Sequence, residues 1–541
     1  MIMNIAINKN ITKAIIKINK YTPELIVLLI IYFSLYLGIT YSTYHTDPWH
    51  WGIITGLAID FINGFKLFKE IYVLYGPGIP VLLKIINFFY PINYYTVGVI
   101  TSIIYCLNII FIYLISKKIS SKNNALTIVL IFFSFTHYPQ TPWPDFYAGF
   151  CITLSIFFLS LYNNNKKITY ILIASFLLAL SITFRTTYLF SIIITMLIYV
   201  SFIKLSNINI SNHIKNYFFF SMIFIALYIF LLVLNGNLKI WYTQGILISS
   251  QLIKKYYFYG YDVSYFYLIL KFIYNFTIPK KIENFYFFLL FVSNLIFTLL
   301  FIKKKLSRIK ELEKNNIFLY LIFGIAGLIQ SLYQSDIFRN TMSCVSIFFV
   351  FLYFLNKIKN KKIIFARFFI LILLIPLFPK NSYDSTVNIF PTIGYVNKNS
   401  EHIKNKNNFY LTDIKFFGKH EFDEETKNYY TEMKLLLCNF KTIINYSVDR
   451  TLIYICDKKN SIPSAANTMS PFFVNYYLEN KYKNENLEKD EILIADKNYI
   501  NKNLLLIKKI RLPSYTRFTK SDLFRQQFDN YIYIYIRNEL L

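Results

Sequence analysis

The sequence predicts an all-α polytopic membrane domain followed by a small C-terminal α/β domain. Three observations predict this fold class. The chain is 55% hydrophobic and 20% aromatic, with only 15 glycines and 15 prolines in 541 residues, a composition typical of membrane helices. Apolar runs recur from residue 24 to residue 378. The remainder is charged and rich in asparagine, and it contains no long apolar run.

The apolar runs predict about 11 transmembrane helices in a domain spanning residues 1–379. The first is expected at Glu24–Tyr41, and a large first outer loop at 42–92. Within that loop, Ile79–Tyr90 is short, is bounded by prolines and contains Lys84, which indicates a helix lying in the membrane interface. The other spans are expected at 93–116, 125–137, 146–162, 168–184, 186–203, 216–234, 284–302, 316–332, 340–356 and 362–378.

The charge distribution predicts the orientation. Of the 57 Lys and Arg residues, 33 lie in residues 1–379, against 10 of the 29 Asp and Glu residues. With a cytoplasmic N-terminus, the basic loops at 117–122, 166–167, 204–215, 303–314 and 357–362 all fall in the cytoplasm. This is the arrangement expected of a multi-pass protein of the cytoplasmic (inner) membrane. A cationic excess of this kind argues against nucleic acid as a partner.

An odd number of spans places residues 380–541 outside. Short β-like runs occur at 409–411, 452–456, 491–495, 504–510 and 531–536, and 421–440 has helical character. These elements predict a small extracytoplasmic α/β domain. It contains Cys438 and Cys456, which can pair if the domain lies in an oxidising compartment.

The first outer loop is the leading candidate for a functional site. It opens with Asp47-Pro48-Trp49-His50-Trp51-Gly52. A wet loop beside a membrane holds such residues, with the indoles of Trp49 and Trp51 at headgroup depth. We expect Asp47 at the mouth of a cavity between helices, where it carries out proton chemistry.

Other outer carboxylates divide into two groups. Asp145 and Asp336 resemble Asp47 because each abuts the end of a span among aromatic residues or prolines, and a carboxylate at membrane depth is usually functional or paired. We expect the rest simply to be solvated; they are Asp60, Glu70, Asp262 and Glu283.

Among the basic residues, Arg185 is the strongest candidate for a functional role. It lies in a narrow polar break between two apolar runs, on the outer side. An arginine there requires an anion, which can be a phosphate or a protein carboxylate from Asp47, Asp145 or Asp336. The same argument applies to Arg339. The six histidines have no HxH or HExxH spacing, and the sequence has neither a P-loop nor a Gly-x-Ser-x-Gly motif.

Taken in order, these motifs resemble the membrane-embedded glycosyltransferases of the GT-C superfold, in particular bacterial protein mannosyltransferase-like and aminoarabinose transferase-like members. The resemblance rests on the pattern Asp47-x-x-His50-x-Gly52, the segment 63–72, Tyr75-Gly76-Pro77, Phe184-Arg185 and Asp336-x-x-Arg339. Two features depart from the family pattern. Pro48 stands where many relatives carry a second acidic residue, and no lysine accompanies Tyr75.

The resemblance implies an inverting sugar transfer from a polyprenyl-phosphate-linked donor to a lipid, glycan or protein acceptor, without a metal or other cofactor. Asp47 would be the general base, and Arg185 with Arg339 would neutralise the leaving phosphate. The interfacial helix at 79–90 would shape the groove that admits the lipid. The remaining expected substrate-binding residues are His50, Tyr75, Asp145 and Asp336.

Three other functions are compatible with parts of the sequence. A lipid-linked glycan flippase or transporter would explain the many spans, but not the long first loop or the outer domain. A glycan polymerase or ligase would usually carry its main outer loop late in the chain. A sensor or scaffold is favoured only by the C-terminal region.

Overall fold

The computed structural model describes most of the first 248 residues, two later helices and parts of the C-terminal domain. The described ranges are 2–44, 50–73, 75–136, 142–206, 212–248, 311–327, 341–342, 344–357, 409–447, 449–456, 487, 490–495, 504–513 and 531–538. The spans predicted at 284–302 and 362–378, and the predicted boundary at 379, lie outside these residues.

The N-terminal region is helical throughout its described part. Its helices are α1 (Ile2–Tyr44), α2 (His50–Ile62), α3 (Gly78–Asn87), α4 (Tyr94–Ile119), α5 (Lys122–Phe135), α6 (Pro144–Asn165), α7 (Ile168–Phe184), α8 (Tyr188–Ser206), α9 (Asn212–Leu234), α10 (Leu238–Tyr242), α11 (Glu311–Gly327) and α12 (Ser346–Lys357). A π-helical turn, Thr243–Ile248, follows α10. Each span predicted between 93 and 234 corresponds to one of α4 to α9, whereas α1 begins well before the predicted Glu24.

Four described helical segments are long and apolar enough to cross a membrane. They are Tyr21–Tyr44, Tyr94–Ile119, Pro144–Tyr162 and Asn212–Leu234. Large apolar side chains of α9, among them Phe230 and Leu234, are exposed on the outside of the bundle, as expected where a helix faces lipid. The chain is therefore an integral membrane protein.

Polar side chains buried between the helices are hydrogen-bonded across the packing seams. Thr101 of α4 and Tyr147 of α6 are joined at 2.8 Å, and Ser155 of α6 and Tyr217 of α9 at 2.8 Å. In hydrocarbon no water can satisfy such groups, so helices that pair them are held in one register.

The two ends of the bundle differ in charge. At one end, a carboxylate oxygen of Glu24 in α1 lies 3.3 Å from Lys117 Nζ and 2.6 Å from Lys122 Nζ. Glu24 thus forms salt bridges with two lysines of the first basic loop. At the other end, the ring of Trp51 packs against Tyr41 and Tyr94, with centroids 5.7 and 4.7 Å apart. The side chain of Trp51 is completely buried, so its indole packs inside the protein rather than facing the headgroups directly.

Helix α3 has the amphipathic character predicted for an interfacial helix. Ile79 and Leu83 are buried against the bundle. Val81, Ile85, Phe88 and Phe89 are exposed, the last two by 80% and 87%. An exposed apolar stripe on a helix of a membrane protein is suited to contact with lipid.

The C-terminal domain contains two small sheets and a helix. Strands β1 (Phe409–Leu411) and β2 (Glu421–Asp423) are antiparallel, and α13 (Glu424–Leu437) follows. The second sheet has the order β3-β4-β6-β5, with β3 (Thr442–Asn445) parallel to β4 (Glu491–Ala495). Strands β5 (Leu504–Arg511) and β6 (Tyr531–Arg537) complete it antiparallel. Cys438 and Cys456 form a disulfide.

Two predictions within this domain require correction, and one strand was missed. The segment 452–456 is not a strand but begins with a 3-10 turn, Leu452–Tyr454. Asp449 accepts hydrogen bonds from the backbone N–H and hydroxyl of Thr451, which favours a turn over an extended chain. The helix predicted from residue 421 begins at Glu424, because Asp423 caps it by accepting from Thr426 N at 2.7 Å. Strand β3 was not predicted.

Candidate functional site

Arg185 occupies the break between α7 and α8, as the sequence predicts. It is extended, with φ −145° and ψ 106°, and its backbone N–H closes α7 by donating to Ser181 O at 3.0 Å. The residue is only 2% exposed. Since a guanidinium stays charged under all ordinary conditions, this burial requires an anion.

The anion is Asp145. Pro144 opens α6, and Asp145 lies in its first turn, where a carboxylate is favoured by the helix dipole. Nη1 of Arg185 donates to Oδ2 of Asp145, and Nε donates to Thr187 Oγ1 at 3.2 Å. The sequence left open whether the anion beside Arg185 is a phosphate or a protein carboxylate. Among the described residues, it is the carboxylate of Asp145.

The second carboxylate oxygen of Asp145 is unsatisfied within the described part of the chain. Oδ1 is buried and accepts no hydrogen bond from any residue described here. Asp145 itself is 0% exposed. Buried polar atoms in native proteins nearly always have partners, so this oxygen requires a hydrogen-bond donor from outside the described residues.

Tyr75 joins this pair from the first outer loop. Its ring centroid lies 5.7 Å from Cζ of Arg185 and 6.2 Å from the ring of Trp143. Its carbonyl oxygen accepts from the backbone N–H of Thr186 at 2.7 Å and from the Thr186 hydroxyl at 2.9 Å. An aromatic face over a guanidinium is a favourable cation–π arrangement.

Two glycines allow the loop to approach so closely. Gly76 has φ +146°, and a Cβ at this position would collide with the backbone of Thr183 at the end of α7. A Cβ at Gly78 would lie 2.8 Å from Thr183 Oγ1 and Phe184 Cδ1. The Tyr75-Gly76-Pro77-Gly78 motif thus does more than bend the chain; it docks the loop next to Arg185.

Gln244 is a site-forming residue that sequence reasoning missed. It is buried in the π-helical turn, where its Oε1 accepts from Val73 N at 2.9 Å and its Nε2 donates to Phe68 O at 3.4 Å. The next residue, Gly245, packs against Thr186. No local signal marked it, because its partners Val73 and Phe68 lie 171 and 176 residues away in the sequence.

The remaining predicted site residues are described in part or not at all. Asp47, Asp336 and Arg339 lie outside the described residues, as do Asp262 and Glu283. His50 is the first residue of α2, and the structure describes its backbone but not its side chain. Glu70 is exposed and accepts from Lys66 N at 2.7 Å, as expected of a solvated loop residue.

Asp60 contradicts the expectation that it is solvated. It is 3% exposed, and its Oδ2 accepts a hydrogen bond at 3.0 Å from Tyr454 Oη of the C-terminal domain. No local sequence pattern indicates this contact, because Tyr454 follows Asp60 by 394 residues. Within the described part of the chain, no three His, Cys, Asp or Glu side chains come together in a possible metal site.

No family model and no curated protein sequence matches the chain. Among solved structures, it is similar to ArnT from Cupriavidus metallidurans bound to undecaprenyl phosphate, with a TM-score of 0.51, 7% identity and coverage of 95% of this chain and 98% of that one. The chain has the GT-C fold. It also matches the apo oligosaccharyltransferase of Archaeoglobus fulgidus, with a TM-score of 0.48, 13% identity and coverage of 88% and 70%.

At the level of fold, the resemblance identified from the sequence is confirmed. A GT-C membrane domain followed by a C-terminal α/β domain is the predicted architecture. The identity of 7% is too low to transfer any residue's role. The roles of the site residues therefore have to be argued from the geometry of Arg185, Asp145 and Tyr75.

Proposed function

We propose that this chain is a membrane glycosyltransferase that moves a sugar, with inversion, from a polyprenyl-phosphate-linked donor to a lipid, glycan or protein acceptor. The observation that carries the proposal is the buried Arg185–Asp145 pair under the ring of Tyr75, in a chain with the GT-C fold. The bound undecaprenyl phosphate of ArnT supports a polyprenyl phosphate as the lipid partner.

In the proposed reaction, Arg185 binds the phosphate that leaves with the lipid. Negative charge grows on this phosphate as the glycosidic bond breaks, so a fixed donor there stabilises the transition state more than the ground state. Asp145 and Thr187 hold the guanidinium in one orientation through Nη1 and Nε. A preoriented planar fork suits the bidentate binding of phosphate oxygens. Arg339 is proposed to assist, and Asp336 to contact the substrate.

The proposed general base is Asp47. A base must be ionised and within hydrogen-bond reach of the acceptor hydroxyl. Asp47 belongs to the five residues that join α1 to α2 in the sequence. We propose that His50, at the start of α2, and Tyr75 contact the substrate.

The proposed orientation places this end of the bundle outside the inner membrane and the N-terminus in the cytoplasm. The Cys438–Cys456 disulfide supports it, because disulfides persist in oxidising compartments. The C-terminal domain shares a hydrophobic core with Tyr41, Trp51 and Tyr94, so both belong to the same side.

A transfer assay tests the proposal. The purified full-length chain is incubated with radiolabelled polyprenyl-phosphate sugars and a membrane extract that supplies acceptors. Release of unlabelled polyprenyl phosphate together with labelled acceptor is the expected result. If the protein is instead a flippase, lipid-linked sugar should cross the membrane of sealed proteoliposomes with its glycosidic bond intact. That result would overturn the proposal.

A further inference from the structure

The C-terminal domain caps the two helices that flank the first outer loop. Nδ1 of His420 donates to Ser42 O, one of the last carbonyls of α1, at 2.8 Å. The backbone N–H of Tyr94, at the start of α4, donates to Phe416 O at 2.8 Å. Terminal carbonyls and N–H groups have no partner within their own helix. The C-terminal domain thus supplies hydrogen bonds that α1 and α4 lack.

The same domain packs against helix α2, which lies inside the loop. Gly52 and Gly56 lie about one turn apart on the face that meets the turn at 450–454. A Cβ at Gly52 would lie 3.0 Å from Thr451 Cγ2, and a Cβ at Gly56 would lie 2.6 Å from Tyr454 Cε2. Only glycine permits an approach this close, as in the small-residue faces through which membrane helices pack.

The contact ends in a hydrogen bond between buried groups. Tyr454 Oη donates to Oδ2 of Asp60 at 3.0 Å, and the two residues are 8% and 3% exposed. A buried carboxylate that loses a donor is left partly unsatisfied, which costs more than the bond itself contributes. This hydrogen bond therefore fixes the depth and rotation of α2 against the C-terminal domain.

Fixing α2 constrains the neighbourhood of Asp47. Tyr44 ends α1 and His50 begins α2, so the linker whose sequence contains Asp47 is only five residues long. The rings of Tyr41, in the last turn of α1, and Trp51, in the first turn of α2, are packed with centroids 5.7 Å apart. Movement of α2 therefore moves His50, the residue to which that linker is joined.

We propose that Tyr454 and Asp60 are positioning residues, through which the C-terminal domain sets the placement of the first outer loop for sugar transfer. The inference rests on the proposed function for its kinetic test, but not for its structural one. Asp60 acts through its hydrogen bond rather than as an acid or base.

Three variants separate positioning from chemistry. Tyr454→Phe removes the donor and Asp60→Ala removes the acceptor, and each is expected to lower kcat about tenfold while changing the KM for the polyprenyl-phosphate sugar less than twofold. Asp60→Asn keeps an oxygen that accepts from Tyr454, and we expect it to retain at least half of kcat. A loss in Asp60→Asn equal to that in Asp60→Ala would show that the charge is required and would overturn the inference.

Tyr217→Phe is the matched control. It removes a buried tyrosine hydrogen bond of 2.8 Å, to Ser155, between α6 and α9. Because Tyr217 does not contact α2, we expect its kcat to stay within twofold of the wild type. If Tyr454→Phe and Tyr217→Phe lose activity equally, or if Tyr454→Phe loses none, the positioning role is wrong.

Hydrogen exchange gives a readout that does not depend on activity. Tyr454→Phe is expected to speed amide exchange in residues 50–62 at least fivefold, whereas Tyr217→Phe leaves those amides unchanged. Unchanged exchange in Tyr454→Phe would overturn the inference. If the wild type transfers no sugar, the proposed function fails, and this measurement still decides whether the C-terminal domain holds α2.

Discussion

The guanidinium of Arg185 lies against the carboxylate of Asp145 inside the helical bundle, with 2% and 0% of the two residues exposed. A buried ion pair loses in desolvation much of what it gains in attraction, so such a pair adds little to stability over apolar residues of the same size. The pair lies beside the loop that carries Tyr75, and we propose that Arg185 serves phosphate binding there rather than stability.

Replacing Arg185 by alanine tests that role. We expect kcat/KM for the polyprenyl-phosphate donor to fall about 10²- to 10³-fold, because a donor aimed at the developing phosphate charge is lost. The KM for the acceptor should change little. Initial rates measured while each substrate is varied in turn provide the comparison, and equal effects on both substrates would argue against a phosphate role.

The double variant Arg185→Ala/Asp145→Ala is the control for an indirect effect. The single variant leaves the Asp145 carboxylate buried without its partner, which is strongly destabilising by itself. The double variant removes that charge, so we expect it to regain thermal stability but not donor use. Recovery of donor use would mean that Arg185 serves only to neutralise Asp145.

Replacing Asp47 by asparagine tests the general base. The amide cannot accept the acceptor's proton, so transfer should fall about 10³-fold while the protein still inserts and folds. Asp413→Asn is a matched control, because the Asp413 side chain is 86% exposed and pairs only with Lys434 at 3.2 Å among the described residues. Near-normal transfer by Asp47→Asn would remove Asp47 as the base.

The sequence predicts helices better than it predicts partners. The spans between 93 and 234 were predictable because a lipid-facing segment must be continuously apolar and long. Arg185 was recognisable as a candidate because a guanidinium is costly at that depth. Its partner was not, because the choice between Asp47, Asp145 and Asp336 depends on which helix ends meet in the packed bundle.

The C-terminal domain shows the same limit. Short β-like runs predicted β1, β4, β5 and β6, whereas the apolar run after Thr451 was mistaken for a strand. That run is apolar because it is buried against α2, and its turn is set by Asp449. Asp60 was misjudged for a related reason, since its donor Tyr454 is distant in sequence. Contacts of this range carry no local pattern.

The pH dependence of stability should report His420. Burial lowers the pKa of His420 from 6.5 to about 4. Between these two pH values the unfolded state binds more protons than the folded state. The contribution of His420 to the free energy of unfolding is therefore complete above pH 6.5 and is lost as the pH falls toward 4. The loss is at most about 3 kcal/mol. His420→Asn retains a donor for Ser42 O without titrating, and it should lose this slope.

Chemical unfolding of both full-length proteins in detergent, from pH 7 to pH 4, measures the difference. Burial also raises the pKa of Asp449, which acts in the opposite direction. Because Asp449 is common to both proteins, its contribution cancels in the comparison. Identical slopes for the wild type and His420→Asn would show that folding does not lower the pKa of His420.

The Cys438–Cys456 disulfide gives a test of orientation. In sealed right-side-out vesicles, a membrane-impermeant reductant followed by an impermeant maleimide should label both half-buried cysteines. Cys106, buried in α4, is an internal control that stays unlabelled. Labelling confined to inside-out vesicles would reverse the proposed topology.

The Cys438→Ser/Cys456→Ser variant should also lose about 3 kcal/mol of stability, since the bond closes a loop with a sequence separation of 18.

Gly76→Ala tests the docking of the Tyr75 loop, and Gly64→Ala is its matched control. Both glycines have positive φ, +146° and +99°, but a Cβ at Gly64 meets nothing within 4 Å, whereas one at Gly76 collides with the Thr183 backbone. Gly64→Ala should therefore cost only about 1–2 kcal/mol of backbone strain and leave transfer within twofold of the wild type. Gly76→Ala must also push Tyr75 away from Arg185, and transfer should fall at least tenfold. Equal transfer by the two variants would mean that the contact between the loop and α7 has no part in the reaction.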